Sequence, residues 1–216
     1  MIIEDRSLLF TASIYDSYQW LINSRGSYIE KAYNDFMRQL TRASWTATPA
    51  IQRGMEFEKA VYQFAEDKSS EQLVDMPISE EFKQIVEAVR GGEFQKKLKK
   101  IETINGQSFC LYGKADVFFS NCIKDIKTTN VFKRSKYENS IQHKLYCYIA
   151  RVPSFEYLVA EFQDKEIIQH FEKVRIDYSD FEQLGSLIKE KVIDFWNFIQ
   201  NDEELLNAYL NKFCLY

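Results

Sequence analysis

The chain has 216 residues, 45% of them hydrophobic and 15% aromatic, with 7 glycines and 3 prolines. That suits one domain with a substantial core and excludes a disordered or fibrous chain. A formal net charge of −4 argues against a protein that coats nucleic acid, and no apolar run approaches the roughly 18 residues of a membrane-spanning helix.

The opening MIIEDRSLLF carries acids where a secretory signal would carry Lys or Arg, so the expectation is a cytoplasmic protein. The four cysteines (Cys110, Cys122, Cys147, Cys214) lack CxxC spacing, which argues against zinc and against an iron–sulfur cluster and leaves reduced thiols. Residues 10–22 read as a helix capped by Thr11 or Ser13, with Tyr15, Tyr18 and Trp20 fitting a core stripe better than a base-stacking one. Residues 28–40 read as a second amphipathic helix, from which Arg38, Arg42 and Trp45 lead into a Thr/Pro loop. In residues 51–67, IQRGMEFEKAVYQFAED, an apolar stripe of Met55, Val61, Tyr62 and Ala65 is expected. Glu58 follows Gly54 by one turn and falls beside that buried face; Glu56 lies on another face, and both glutamates simply solvating the helix is the plain alternative. Residues 69–92 read as a helical connection, with Pro77 marking a start and Gly91-Gly92 an end.

After the polar, basic residues 93–100, the alternation about Asn105-Gly106 signals a type I′ hairpin. Residues 109–129, FCLYGKADVFFSNCIKDIKTT, continue it as two strands joined at Ser120-Asn121. Three antiparallel strands therefore succeed one another. Asp116 sits inside one of them; Asp125 and Lys127, two apart on the next, share a face. Pairing gathers two carboxylates and an ammonium among apolar neighbours, which is costly unless something compensates the charge. A structural Asp–Lys ion pair is one account. A site for a divalent cation and a phosphate is the other: two carboxylates suit Mg²⁺, and a lysine beside them orients the attacking water.

Residues 135–150 return to helical period, with Ile141, Leu145, Tyr148 and Ile149 on one face and Gln142 and Tyr146 four apart on the adjoining strip. His143 reads as a surface residue without a partner. Residues 154–162 and 166–177 read as paired strands, residues 181–199 as a long helix with Phe195 and Trp196 in its core stripe, and residues 203–210 as a short helix. Residues 121–151 hold seven basic residues against two acids, whereas residues 152–216 hold thirteen acids against six bases. Lys133, Arg134 and Lys136 in the basic block are candidates for phosphate contact.

Asp116 followed by Asp125-Ile126-Lys127 resembles the motif of the PD-(D/E)XK nucleases, an acid on one strand and acid-x-Lys on the next. Gly113, Thr128, the Gly54/Glu58 spacing and the Gln142-x-x-x-Tyr146 pair are similar to the branch holding the RecB nuclease domain and the lambda-type phage exonucleases. The resemblance covers roughly residues 50–162. It implies an α/β (α+β), restriction-endonuclease-like core, a mixed sheet in αβββαβ order flanked by helices. One domain then spans residues 1–216, with helices over 10–42 and 178–211. It implies a metal-dependent deoxyribonuclease using Mg²⁺ or Mn²⁺ at Asp116, Asp125, Glu58 and the Ile126 carbonyl, with Lys127 positioning the water and Gln142 and Tyr146 binding substrate. The lack of a four-cysteine cluster departs from some RecB-like members. The implied partner is DNA, with a single-strand annealing protein and a homo-oligomer as further expectations. A double-strand exonuclease of recombination or repair is the first reading; a RecB-like structure-selective or single-strand endonuclease, or a non-catalytic DNA-binding subunit, is the alternative.

Overall fold

A computed structural model describes residues 6–44, 46–66, 79–163 and 167–215. Trp45, Pro77 and the start of the strand expected at residue 166 lie outside them. The chain opens on a strand, β1 (Ser7–Thr11), that runs straight into α1 (Ala12–Asn23). Thr11 ends the one and caps the other, its hydroxyl accepting from Ile14 N–H at 3.2 Å. β1 escaped the sequence reading because five residues without alternation look like the lead-in to a helix.

Next come α2 (Tyr28–Thr41), α3 (Pro49–Glu66), α4 (Glu80–Val89), and the strands β2 (Glu93–Ile104), β3 (Gln107–Phe118) and β4 (Cys122–Thr129). The β2–β3 turn is Asn105-Gly106, both residues at positive φ as a type I′ turn requires. β2 begins earlier than alternation suggested: Lys96, Lys97, Lys99 and Lys100 lie on it, the polar dressing of an edge strand. The expected helix at 135–150 is two, α5 (Arg134–Glu138) and α6 (Ile141–Ala150). Ser140 breaks it by capping α6, its hydroxyl accepting from Gln142 N–H at 3.1 Å. β5 (Ser154–Gln163), β6 (Ile167–Asp177), α7 (Phe181–Gln200), α8 (Glu203–Phe213) and β7 (Cys214–Leu215) complete the described order.

The strands make one mixed sheet in the order β6-β5-β4-β3-β1-β7, with β2 also pairing β3. Helices cover both faces, and the apolar contacts form two clusters. One gathers α1, α2, α6, α7 and α8 over Phe109, Leu111, Ile123 and Tyr157; the other gathers α3 and α4 over Val117, Ile126, Leu158 and Phe162. Phe195 and Trp196 belong to the first cluster, as expected. Met55 does not belong to either: it is 62% exposed, because the buried stripe of α3 runs through Phe57, Val61 and Phe64 instead. The αβββαβ order is present as α3, β2, β3, β4, α6 and β5. No described helix is long and apolar enough to cross a membrane.

The pairing of β3 positions the site. β2 runs along one whole edge of it, so β1 and β4 share the other. β1 takes Ser108 to Tyr112 in parallel, and β4 takes only Val117 and Phe118. Residues 113–116 are left between two diverging strands. The strand also turns over here: Ala115 packs with the first cluster and Val117, two residues on, with the second. Opposite Asp116 the β2 pairing skips Gln95, which sits at φ 57° in the left-handed region.

Candidate active site

Where β3 and β4 part, the Asp116 carboxylate takes the place of the missing ladder bond. Its Oδ2 accepts from Ile126 N–H at 2.9 Å. Asp125, 1% exposed, lies on β4 with Lys127 two residues on, and the ammonium approaches Asp125 Oδ2 to 2.5 Å. Its other oxygen, Oδ1, accepts from the Gln142 amide at 2.6 Å. Gln142 is therefore brought to the acid rather than left open on α6. Tyr146, one turn further along α6, is buried; its hydroxyl accepts from Lys114 N–H at 3.3 Å, and its ring fills the space where Gly113 has no Cβ. Glu58 sits on α3, which Gly54 lets approach β4 closely, since a Cβ there would lie 3.0 Å from Thr128 Oγ1.

The electrostatics bear out the crowding. Burial pushes the Asp116 carboxyl up from about 3.8 to about 8, and the charge of Asp125 adds to the push; Lys127 pulls it down, and Glu58 raises it further. Lys127 is raised above the usual ammonium range, its burial being outweighed by Asp125 and Asp116. Two carboxylates and a lysine thus share one small volume, and the ammonium does not neutralise both acids.

Glu58 is not brought fully into that group. Its Oε1 accepts from Tyr62 OH and from the Gln95 amide, both at 2.6 Å. Among the described residues no three His, Cys, Asp or Glu side chains converge as a ready-made metal site. The convergent pair is Asp116 and Asp125. Asp125 Oδ2 is buried and its contact is the Lys127 ammonium, so both oxygens of this acid are engaged within the cluster. Two crowded acids with hard oxygens, one holding a proton that a cation would displace, fit a divalent cation of the Mg²⁺ or Mn²⁺ kind, which one or two carboxylates suffice to hold. Glu56 is exposed and accepts from the Gln52 amide within α3 at 2.9 Å. Lys133, Arg134 and Lys136 are exposed around α5, with Arg134 paired with Glu138.

Sequence reasoning missed Gln95, whose role depends on a backbone conformation that no side-chain pattern announces. It also misread His143, which is 1% exposed. Its Nε2 meets the Glu138 carbonyl at 3.2 Å, an acceptor only, so Nε2 carries the proton and the bare Nδ1 accepts from Tyr178 OH. Burial, helped by the Lys144 charge, pulls its pKa from 6.5 down to about 4. The imidazole is neutral and ties α5, α6 and the end of β6 together. His143→Ala leaves a cavity and two polar groups without their partner. It is expected to cost roughly 3 kcal/mol in urea unfolding at pH 7.

A groove of about 1100 Å³ opens beside the centre, at Gly113, Lys114 and Tyr146. Lys31, Arg38 and Arg42 of the α2 region and the hydroxyls of Ser13 and Thr48 line it, with Asp35 as its acid.

No protein-family model matches the chain, and no curated protein does either. Solved structures do. An alkaline exonuclease (LHK-Exo) from Laribacter hongkongensis superposes with a TM-score of 0.51 at 14% identity, over 94% of this chain and 93% of that one. The same enzyme in complex with dAMP gives 0.52 at 16% identity over the same shares. The fold is that of these exonucleases.

Proposed function

We propose that the chain is a metal-dependent DNA nuclease of the PD-(D/E)XK type, a phage-type exonuclease acting on double-stranded DNA in recombination or repair. The observation that carries this is the cluster at the strand fork: Asp116 on the Ile126 amide, Asp125 on Lys127 and Gln142. A fold shared with an alkaline exonuclease supports it. Asp116 and Asp125 would hold Mg²⁺ or Mn²⁺, with Glu58 and the Ile126 carbonyl as further oxygens. When bound, the cation supplies Lewis acidity to the phosphate and a more acidic water.

The chain's own groups do the rest. Lys127 places positive charge where the phosphorane oxygens develop theirs and orients the incoming water. Gln142 holds Asp125 in one orientation without adding charge. Tyr146 walls the centre on the groove side. Lys31, Arg38, Arg42 and Lys114 offer phosphate contacts along the groove, and Lys133, Arg134 and Lys136 a second set. Each contact made would steepen the fall of log affinity with log salt by about 0.9.

Linear and covalently closed double-stranded DNA, incubated side by side with Mg²⁺ or Mn²⁺, test the reading. Degradation of the linear form alone, stopped by EDTA, is the expected result. Nicking of closed circles would favour the RecB-like endonuclease instead. Binding of both forms without cleavage would leave a non-catalytic DNA-binding subunit.

A further inference from the structure

Gln95, the third residue of β2, is held in the left-handed region, and its side chain spans to the neighbouring helix. Its amide nitrogen donates to Glu58 Oε1 at 2.6 Å and to Tyr62 OH at 2.7 Å. Tyr62 OH in turn donates to Glu58 Oε1 at 2.6 Å. With the three atoms only 2.6–2.7 Å apart, one amide N–H is shared between Glu58 Oε1 and Tyr62 OH, and the phenol proton goes to the carboxylate. Tyr62 is the donor in that contact, because a carboxylate oxygen can only accept. Its ring is fixed against Phe94, centroids 4.6 Å apart.

This triangle is not needed to pair β2 with β3, since register continues on both sides of Gln95 at Phe94↔Val117 and Lys96↔Ala115. A glutamine here gives up one ladder position and adopts φ 57°, where L side chains are rarely found. What is gained is an amide aimed at Glu58, directly opposite Asp116. We propose that Gln95 and Tyr62 are positioning residues that saturate one oxygen of Glu58 and aim the other at the cation of the Asp116/Asp125 centre. The proposal rests on the nuclease reading, because it needs a cation there. Glu58 then serves as a one-oxygen ligand with a fixed rotamer, and the left-handed turn of Gln95 is a constraint that serves binding and works against stability.

The test uses the full chain, with Mn²⁺ as the probe, read by titration calorimetry, and with thermal unfolding in EDTA as the second readout. Gln95→Gly removes the amide and suits the left-handed backbone. The expected result is Mn²⁺ binding weaker by about 10- to 100-fold with a Tm at or above that of the parent chain. Tyr62→Phe, which keeps the ring and loses the hydroxyl, should weaken Mn²⁺ binding in the same direction. Unchanged or tighter binding in Gln95→Gly would overturn the proposal while leaving the cation site standing. A fall in Tm alongside the lost affinity would also overturn it, by making Gln95 a structural residue. A parent chain that binds no Mn²⁺ would remove the site and the proposal together.

Discussion

Asp116→Asn is expected to cut hydrolysis steeply and, in EDTA, to make the chain more stable. Both effects have one origin. Burial and the nearby Asp125 hold the Asp116 carboxyl near 8 in the folded state, far above its ordinary value of 3.8. Between about pH 4 and pH 8 the folded chain therefore carries a proton that the unfolded chain releases. Stability from this source is full below about pH 4 and is lost as pH rises to 8, by about 1.4 kcal/mol per pH unit at most. Asparagine is neutral throughout and can still accept from the Ile126 amide through Oδ1. The Tm gap between variant and parent should widen from pH 5 to pH 9 in EDTA. Parallel curves would show that the acids are not crowded as described. Hydrolysis should fall by about 10³-fold, because an amide leaves Asp125 without its partner acid for a cation and a developing phosphorane. A site that destabilises its own fold until a cation arrives is a mark of function rather than of structural ion pairing.

Gly113→Ala is expected to damage fold and site together. A Cβ at residue 113 would lie 2.2 Å from Tyr146 Cε1, with two more atoms of that ring within 2.7 Å. The ring has little freedom to yield: it is buried, its hydroxyl takes the Lys114 N–H, and it meets Phe155 edge-on with centroids 6.2 Å apart. Overpacking of this kind costs about 3 kcal/mol, visible as a lower urea midpoint with unchanged slope. Displacing Tyr146 also moves α6, and Gln142 one turn before it leaves Asp125. Gly113→Ala combined with Tyr146→Ala should unfold at higher urea than the sum of the single losses predicts. Strict additivity would mean that the ring and the glycine do not meet.

Much of this architecture was legible because it rests on local periodicity. The Asn105-Gly106 turn announces its hairpin, and Asp125 and Lys127 share a face by simple alternation. The Gln142/Tyr146 spacing placed both on one strip of a helix, where they are found. The illegible parts depend on tertiary pairing. β1 is a strand only because β3 offers it a free edge. His143 looks solvated on a helical wheel, yet the Glu138 carbonyl and Tyr178 converge on it from elsewhere in the chain. The groove lies between α2, which packs on α1 and α8, and the middle of β3, an arrangement that no single segment encodes. Gln95 was hidden for the same reason, since nothing local distinguishes a glutamine that will turn left-handed.

The central claim is that Asp116, Asp125 and Lys127 form a hydrolytic centre. Lys127→Gln tests it most directly, because an amide can still donate toward Asp125 while the positive charge is gone. The measurement is the rate of mononucleotide release from linear double-stranded DNA in Mg²⁺, variant against parent, at matched folded fraction by circular dichroism. A rate lower by about 10³-fold, with DNA binding retained, is the predicted result. Equal rates would contradict the account and return Lys127 and Asp125 to the role of a structural ion pair.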